Sequence, residues 1–267
     1  MCRATDLRTA VLAKNDRGAQ RLRAELAARG TVLVNLMSSP GSGKTALLEA
    51  ELVAARRDGV PVAALTADLA TENDATRLAR SGAPVRQVLT DGLCHLETGM
   101  LRGHLDGWLP PDTRLLFVEN VGNLVCPASY DLGETLRVVL ASVTEGEDKP
   151  LKYPTAFGLA HLVVVTKHDL AEAAEFDQDA FLAAVRQVNP GVEVVFTSAR
   201  RGRGVGLLLE RALAVAAGAR VHRPVMGTPL HGHHHGADGH QDHDGPDHVH
   251  DGREPGATHS HPHASAH

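Results

Sequence analysis

Aromatic residues are scarce in this chain: one Trp, two Tyr and five Phe, 3% of 267 residues. Hydrophobic residues still make up 43%, so a substantial core is available, built from Ala, Val and Leu. Cysteine is scarcer still. Cys2, Cys94 and Cys126 form an odd, sparse set that argues against a disulfide framework and for a reducing, cytoplasmic setting. No apolar run approaches the ~20 residues that span a bilayer. The opening "MCRATDLRTAVLAKNDRG" lacks the basic start, apolar run and cleavage site of a secretory leader. The formal net charge is only −5, which gives no electrostatic reason to expect nucleic acid or an anionic membrane as partner. The expectation is a cytoplasmic protein with no nucleic-acid partner and no membrane insertion.

Three regions stand out. Residues 1–30 read as a helical lead-in, with Leu7, Val11, Leu22 and Leu26 at helix-like intervals and Gly30 as a stop signal. Residues 31–220 alternate short apolar runs with longer amphipathic ones. The predicted strands are "TVLVNLM", "VPVAALTA", "PVRQVLT", "TRLLFVEN", "LRVVLASVT", "AHLVVVTK" and "VEVVF". The predicted helices include "KTALLEAELVAARRDG" and "DAFLAAVRQVN". Runs such as "LLFVEN" and "LVVVTK" are apolar nearly throughout, which suits strands covered on both faces. The expected fold is therefore α/β: a three-layer phosphate-loop architecture around a mostly parallel central sheet. From 221 to 267 Gly, His, Asp and Pro dominate. Such a segment buries too little apolar surface to offset its ordering entropy, and without metal it is expected to be disordered.

The sharpest motif is "SSPGSGKT", residues 38–45, placed between an apolar strand and an amphipathic helix. That is the context a phosphate loop requires. Gly41 and Gly43 allow backbone N–H groups to turn toward a phosphate chain, with Ser42 and Ala46 beside them. Lys44 can reach the β- and γ-phosphates and Thr45 can ligate Mg²⁺. One position departs from G-x-x-x-x-G-K-T: Ser38 stands where the first Gly is expected. The pattern indicates nucleoside triphosphate binding without saying which base.

A base-reading signal lies in Thr166-Lys167-His168-Asp169, at the end of "HLVVVTKHDL". It resembles the N-K-x-D element of GTPases with Thr in place of Asn. Asp169 would accept from the guanine ring N–H and amino group, and the Lys167 stem would pack on the base. Guanine preference is expected to survive the Thr166 change in weakened form. Ser198 and Ala199 in "FTSARRGRG" resemble the S-A-K loop that supports the base. Two carboxylates sit at carboxyl ends of predicted strands, where ligands gather in open α/β sheets: Asp68 in "LTADLATEND" and Glu119 in "RLLFVEN". Both are candidate Mg²⁺ ligands. Phosphoryl transfer asks mostly for positioning and charge neutralisation, and no residue stands out for positioning the attacking water.

Cys94 and His95 are adjacent in "DGLCHLETGM", and Cys126 follows shortly after Glu119. Thiolate and imidazole suit Zn²⁺ and Ni²⁺. Adjacent residues cannot point the same way on a helix, so a loop or helix start is implied. Spacing alone favours two ordinary small hydrophobes and a surface histidine over a metal site. The C-terminal segment is a second metal candidate. Of 17 histidines, 12 lie from His231 onward, recurring as H-x-H and H-x-x-H. His231, His233, His234, His235, His240, His243, His248 and His250 fall in its densest part. Imidazoles on flexible spacers can converge on Ni²⁺ in many combinations, with affinity falling below the ordinary His pKa of ~6.5. The irregular, acidic run is unlike an unbroken purification tag.

Taken together, the chain resembles the hydrogenase nickel-incorporation GTPase family, HypB. The matching stretches are "NLMSSPGSGKTALLE", "TENDATRL", "GAPVRQVLTDGLCHLETGML", "FVENVGNLVCPASYDLGE" and "EGEDKPLKYPTAF", within roughly residues 5 to 220. The resemblance implies that Ser38 is no defect, because the family loop also begins S-S-P-G-S-G-K-T. It implies a nickel- or zinc-binding site at Cys94, His95 and Cys126, lying at the interface of a homodimer that GTP favours. It implies that "ENVGNLVC" carries the switch response, with the γ-phosphate sensed near Gly122. GTP and GDP, Mg²⁺, Ni²⁺ and Zn²⁺ are the implied ligands. Nickel would pass to a HypA-type chaperone and then to the nickel–iron hydrogenase large subunit. The N-terminal C-x-x-C-G-C motif of some relatives is not matched, since only Cys2 is present there. The alternatives are a nickel-storage protein with a non-catalytic nucleotide site, or an accessory GTPase for another nickel enzyme such as urease.

Overall fold

The computed structural model describes residues 2–68, 73–90 and 92–227. Seven strands, β1 (Val32–Ser38), β2 (Val62–Asp68), β3 (Val85–Leu89), β4 (Leu115–Glu119), β5 (Leu136–Ser142), β6 (Leu162–Thr166) and β7 (Glu193–Phe196), correspond to the seven predicted runs. They form one sheet in the order β3-β2-β4-β1-β5-β6-β7. Every pairing is parallel, so the expected mostly parallel sheet is wholly so. The helices are α1 (Cys2–Ala28), α2 (Lys44–Arg57), α3 (Asn73–Ala79), α4 (Thr98–Leu105), α5 (Lys149–Lys152), α6 (Pro154–Gly158), α7 (Gln178–Val188) and α8 (Leu207–Ala216).

Alternation along β1 sorts the layers. Val32, Val34 and Leu36 face a core made with Leu47, Leu48 and Leu52 of α2, Leu78 of α3 and Leu208 of α8. Leu33 faces the opposite layer, with Leu22 and Leu26 of α1 and Leu101 and Leu105 of α4. Further along that layer, Met37 meets Phe157 of α6 and Phe181 of α7. Phe117, Phe157 and Phe181 are fully buried, but Leu, Val and Ala fill most of the interior, as the scarcity of aromatics requires.

The lead-in is one long helix that stops before Gly30, whose φ of +70° a side chain would resist. Its buried positions among the described side chains are Asn15, Ala19, Leu22 and Leu26, spaced i, i+4, i+7 and i+11. Val11 lies in this helix as its spacing suggests and is 45% exposed; among the described side chains burial begins at Asn15, one turn later. Among the described residues no helix is long and apolar enough to cross a membrane.

Strand order reverses around β1, which pairs with β4 on one side and β5 on the other. In open parallel sheets such a reversal opens a crevice at the carboxyl ends of the strands. Both clusters of predicted site residues fall on loops leaving those ends.

Candidate nucleotide and metal sites

The phosphate loop runs from Ser38, the last residue of β1, to Lys44, the first of α2. Gly41 and Gly43 have φ of +71° and +92°, a left-handed region that glycine enters without steric cost. Gly43 is the N-cap of α2 and provides no side-chain cap, so orphan N–H groups of the first turn face the crevice. Ser42 is 1% exposed and its Oγ has no hydrogen-bond partner.

Lys44 and Thr45 converge on Glu119. Thr45 Oγ1 donates to Glu119 Oε1 at 2.6 Å, and Lys44 Nζ lies 3.4 Å from the same oxygen. Glu119 is 1% exposed, and its other oxygen has no partner. Burial pushes this carboxyl above the usual carboxylate range, against the opposing pull of Lys44 and Thr45. An orphaned buried carboxylate oxygen beside a threonine hydroxyl fits a divalent cation, which would neutralise phosphate charge there. Asp68 ends β2 opposite Leu89 of β3, and its side chain lies outside the described residues.

The base-reading segment folds onto the same loop. Lys167 has a φ of +54°, and its Nζ donates to Gly41 O at 2.7 Å. Its stem therefore lies across the phosphate loop. Thr166 Oγ1 donates to Ser42 O at 2.5 Å. Thr166 departs from the Asn of the N-K-x-D pattern. Here its hydroxyl ties the end of β6 to the phosphate loop. Asp169 accepts from Ser198 Oγ at 2.5 Å, and that bond holds its carboxyl below the usual range. A cleft of about 320 Å³ is lined by Gly43, Ala46, Lys167, Asp169, Ser198 and Ala199, all predicted, and by Arg200, which was not. The signal for Arg200 was its place directly after the "TSA" loop.

Cys94 and His95 lie in the loop before α4, and Cys126 in the loop after β4. The structure brings the three together, with one potential ligand atom from each, all within 4.8 Å of one another. Ligand bonds of roughly 2.0–2.3 Å would reach a common ion after small movements. Cys94 Sγ lies 3.8 Å from His95 Nδ1. The Cys126 thiol, and then burial, hold the Cys94 thiol above its ordinary range. Tyr130 stacks on the His95 ring at 3.9 Å between centroids and 27° between planes. His95 Nε2, buried without a hydrogen bond, lies 3.7 Å from Glu97 Oε1. Sequence reading missed Tyr130, which lies in the same matching stretch as Cys126.

Gly122 sits between the two sites. A Cβ built on it would meet the Pro40 backbone of the phosphate loop at 3.2 Å. The segment thus leaves Glu119, touches the phosphate loop at Gly122 and reaches Cys126. The predicted tail ligands, His231, His233, His234, His235, His240, His243, His248 and His250, lie outside the described residues.

The family profile described as "CobW/HypB/UreG, nucleotide-binding domain" matches residues 32–196. The chain belongs to this family. Within the CobW/HypB/UreG group its resemblance is to HypB proteins. It is 48% identical over 195 residues to the hydrogenase maturation factor HypB of Escherichia coli K12, covering 73% of this chain and 67% of that one. It is 42% identical to the hydrogenase/urease maturation factor HypB of Helicobacter hepaticus, covering 70% and 78%. The crystal structure of HypB from Helicobacter pylori in complex with nickel matches with a TM-score of 0.70 at 35% identity, covering 76% of this chain and 97% of that chain.

Proposed function

We propose that the chain is a GTP-hydrolysing nickel metallochaperone that binds, stores and delivers nickel for maturation of nickel–iron hydrogenase. The observation that carries this reading is the single segment from Glu119 through Gly122 to Cys126, which touches the phosphate loop at its start and ends on a thiol that lies with Cys94 and His95 in a group able to hold a metal ion. A change at the γ-phosphate reaches a cargo ligand within seven residues of chain, a short route for coupling nucleotide state to metal affinity.

In this reading Gly41 to Ala46 cradle the phosphates and Lys44 neutralises their charge. Thr45, Glu119 and Asp68 hold Mg²⁺. Lys167, Asp169, Ser198 and Ala199 bind guanine, and Gly122 senses the γ-phosphate. Cys94, His95 and Cys126 hold Ni²⁺ or Zn²⁺ as cargo, and the histidine-rich segment collects nickel in advance. The exposed Leu93 and Val125 beside the ligands support a homodimer formed over this site. A HypA-type chaperone and the hydrogenase large subunit are the receivers, in the cytoplasm. The relatives' names support hydrogenase as the destination. The Helicobacter name, hydrogenase/urease maturation factor, favours urease as a second destination.

Phosphate release from GTP and nickel titration test the proposal together. The full chain is expected to hydrolyse GTP slowly, and Lys44→Ala to abolish turnover. The thiolate-to-nickel charge-transfer band should saturate at different Ni²⁺ concentrations with GDP and with a non-hydrolysable GTP analogue. Undetectable turnover, or turnover equal in Lys44→Ala, would leave a nickel-storage protein. Identical titrations with the two nucleotides would refute the coupling.

A further inference from the structure

The two ligand-bearing loops touch one another through Tyr130 on His95 and Thr98 on Asp131, and a third element braces both. The loop with Cys94 and His95 runs into α4 at Thr98, and the loop with Cys126 and Tyr130 runs on to Asp131. Thr98 N–H is an orphan donor in the first turn of α4, and the N-cap residue Glu97 makes no side-chain cap to that turn. The missing partner comes from a distant part of the chain. Asn15 of α1 accepts from Thr98 N at 2.9 Å and from Thr98 Oγ1 at 3.1 Å through its Oδ1. Its Nδ2 donates to Asp131 O at 2.7 Å. Thr98 Oγ1 also lies 2.9 Å from Asp131 O.

One amide therefore bridges both loops. Asn15 is 7% exposed and Thr98 1%, so water cannot readily replace these bonds, and leaving them unmade carries a desolvation cost. The helix is held close by glycine on both sides of the bridge. A Cβ on Gly18 would stand 3.4 Å from Thr98 Cβ, and one on Gly133 would stand 2.7 Å from Ala19 O. Arg23, two turns after Asn15, adds an ion pair to the Asp131 carboxylate, its Nη2 reaching both oxygens at 2.7 and 2.8 Å. Asp131 is the neighbour of Tyr130, whose ring lies on His95. The contact path runs from α1 through Asp131 and Tyr130 to one ligand, and through Thr98 to the loop that carries two.

We infer that Asn15 is a positioning residue for the cargo-metal site: it fixes the Cys94–His95 loop against the Cys126 loop and so sets metal affinity from outside the nucleotide-binding core. The inference rests on the proposal that Cys94, His95 and Cys126 hold the metal. Removing the groups that orient metal ligands from behind commonly costs about 10–100-fold in affinity. The N-terminal helix is thereby part of the metal site.

The test titrates Ni²⁺ alone into the reduced full-length chain and follows the thiolate-to-nickel charge-transfer band. Histidines of the C-terminal segment do not contribute to that band, since no cysteine follows Cys126. The Cys94→Ser/Cys126→Ser double variant identifies the signal. Asn15→Leu, close in size but without polar atoms, is expected to raise the half-saturating Ni²⁺ by about tenfold. Asn15→Asp, which keeps the acceptor for Thr98 but loses the donor to Asp131, should fall between. Binding of a fluorescent GDP should be unchanged in both, which a general loss of folding would not allow. If Asn15→Leu does not fold, Thr98→Val removes the hydroxyl side of the same bridge and must weaken nickel in the same direction. No charge-transfer band in the wild type, or one that survives in the double variant, refutes the metal-site reading itself. A wild-type band that titrates identically in Asn15→Leu, or in Thr98→Val where that stands in, overturns the role of Asn15 and leaves the metal site standing.

Discussion

The phosphate loop and the metal loops leave the same end of one sheet, yet they are held in different ways. The phosphate loop is contiguous: strand, glycine turn and helix follow one another within residues 32–57. Its ties beyond that run come from β4 through Glu119 and from the end of β6 through Thr166 and Lys167. The metal loops join residues 94, 95 and 126, and their frame comes from residues 15 to 23. A contiguous site is specified by local backbone geometry. An assembled site is specified by packing between elements far apart in the chain, and it can be loosened without touching a ligand.

Lys44→Ala should separate the two most sharply. It removes the cation nearest the phosphate cradle, and nucleotide affinity is expected to fall by about 100-fold or more, read by fluorescent GDP titration. Nickel charge transfer without nucleotide should be unchanged. Gly133→Ala attacks the other end. It forces a side chain into a φ of +78° with 2.7 Å to Ala19 O, and should cost about 2 kcal/mol in urea unfolding. Nickel affinity should fall with it, while GDP affinity of the folded protein stays level. Thr166→Val is milder. It deletes the hydroxyl that donates to Ser42 O, worth about 1 kcal/mol and about fivefold in GDP affinity. Nickel affinity without nucleotide serves as its control.

The same contrast explains what could be read from the sequence. Strands covered on both faces are written as apolar runs, so all seven were legible, and "SSPGSGKT" carried its own strand and helix with it. Asp169, Ser198 and Ala199 were legible because each sits directly after a readable strand. Strand order was not, because nothing in an apolar run says which neighbour it pairs with. The metal triad was ambiguous from spacing, since Cys94 and Cys126 meet only once β4 is inserted between β1 and β2. Asn15 left no local signal at all. An asparagine within a helix reads as a solvated residue or a weak helix former, and only the docking of α1 gives it two loops to bridge.

The smallest effect concerns the back of the metal loops. Arg137 donates through Nε to Glu134, and through its other nitrogens to Ala128 O and Tyr130 O. Its backbone N–H donates to His161 Nδ1 at 3.0 Å, a bond that only a neutral imidazole can accept. Burial, followed by the charges of Arg137 and His222, pushes His161 down to about 4 from the ordinary 6.5. Between those values the unfolded chain takes up a proton that the folded chain refuses, so this histidine makes stability fall as pH drops from 6.5 toward 4. The slope fades above about pH 7.5, where the unfolded imidazole is neutral as well. Going from pH 7.5 to 6.0 should cost somewhat under about 1 kcal/mol through this group, and His161→Gln should flatten that part of the urea-midpoint profile. Arg137 links His161 to Tyr130 O and not to the phosphate loop, so mild acid should cost stability before it disturbs the phosphate loop. Fluorescent GDP affinity at pH 6.0 would then stay near its neutral value in both wild type and His161→Gln. An equal loss of GDP affinity and of stability over that range would mean that the two sites share one support.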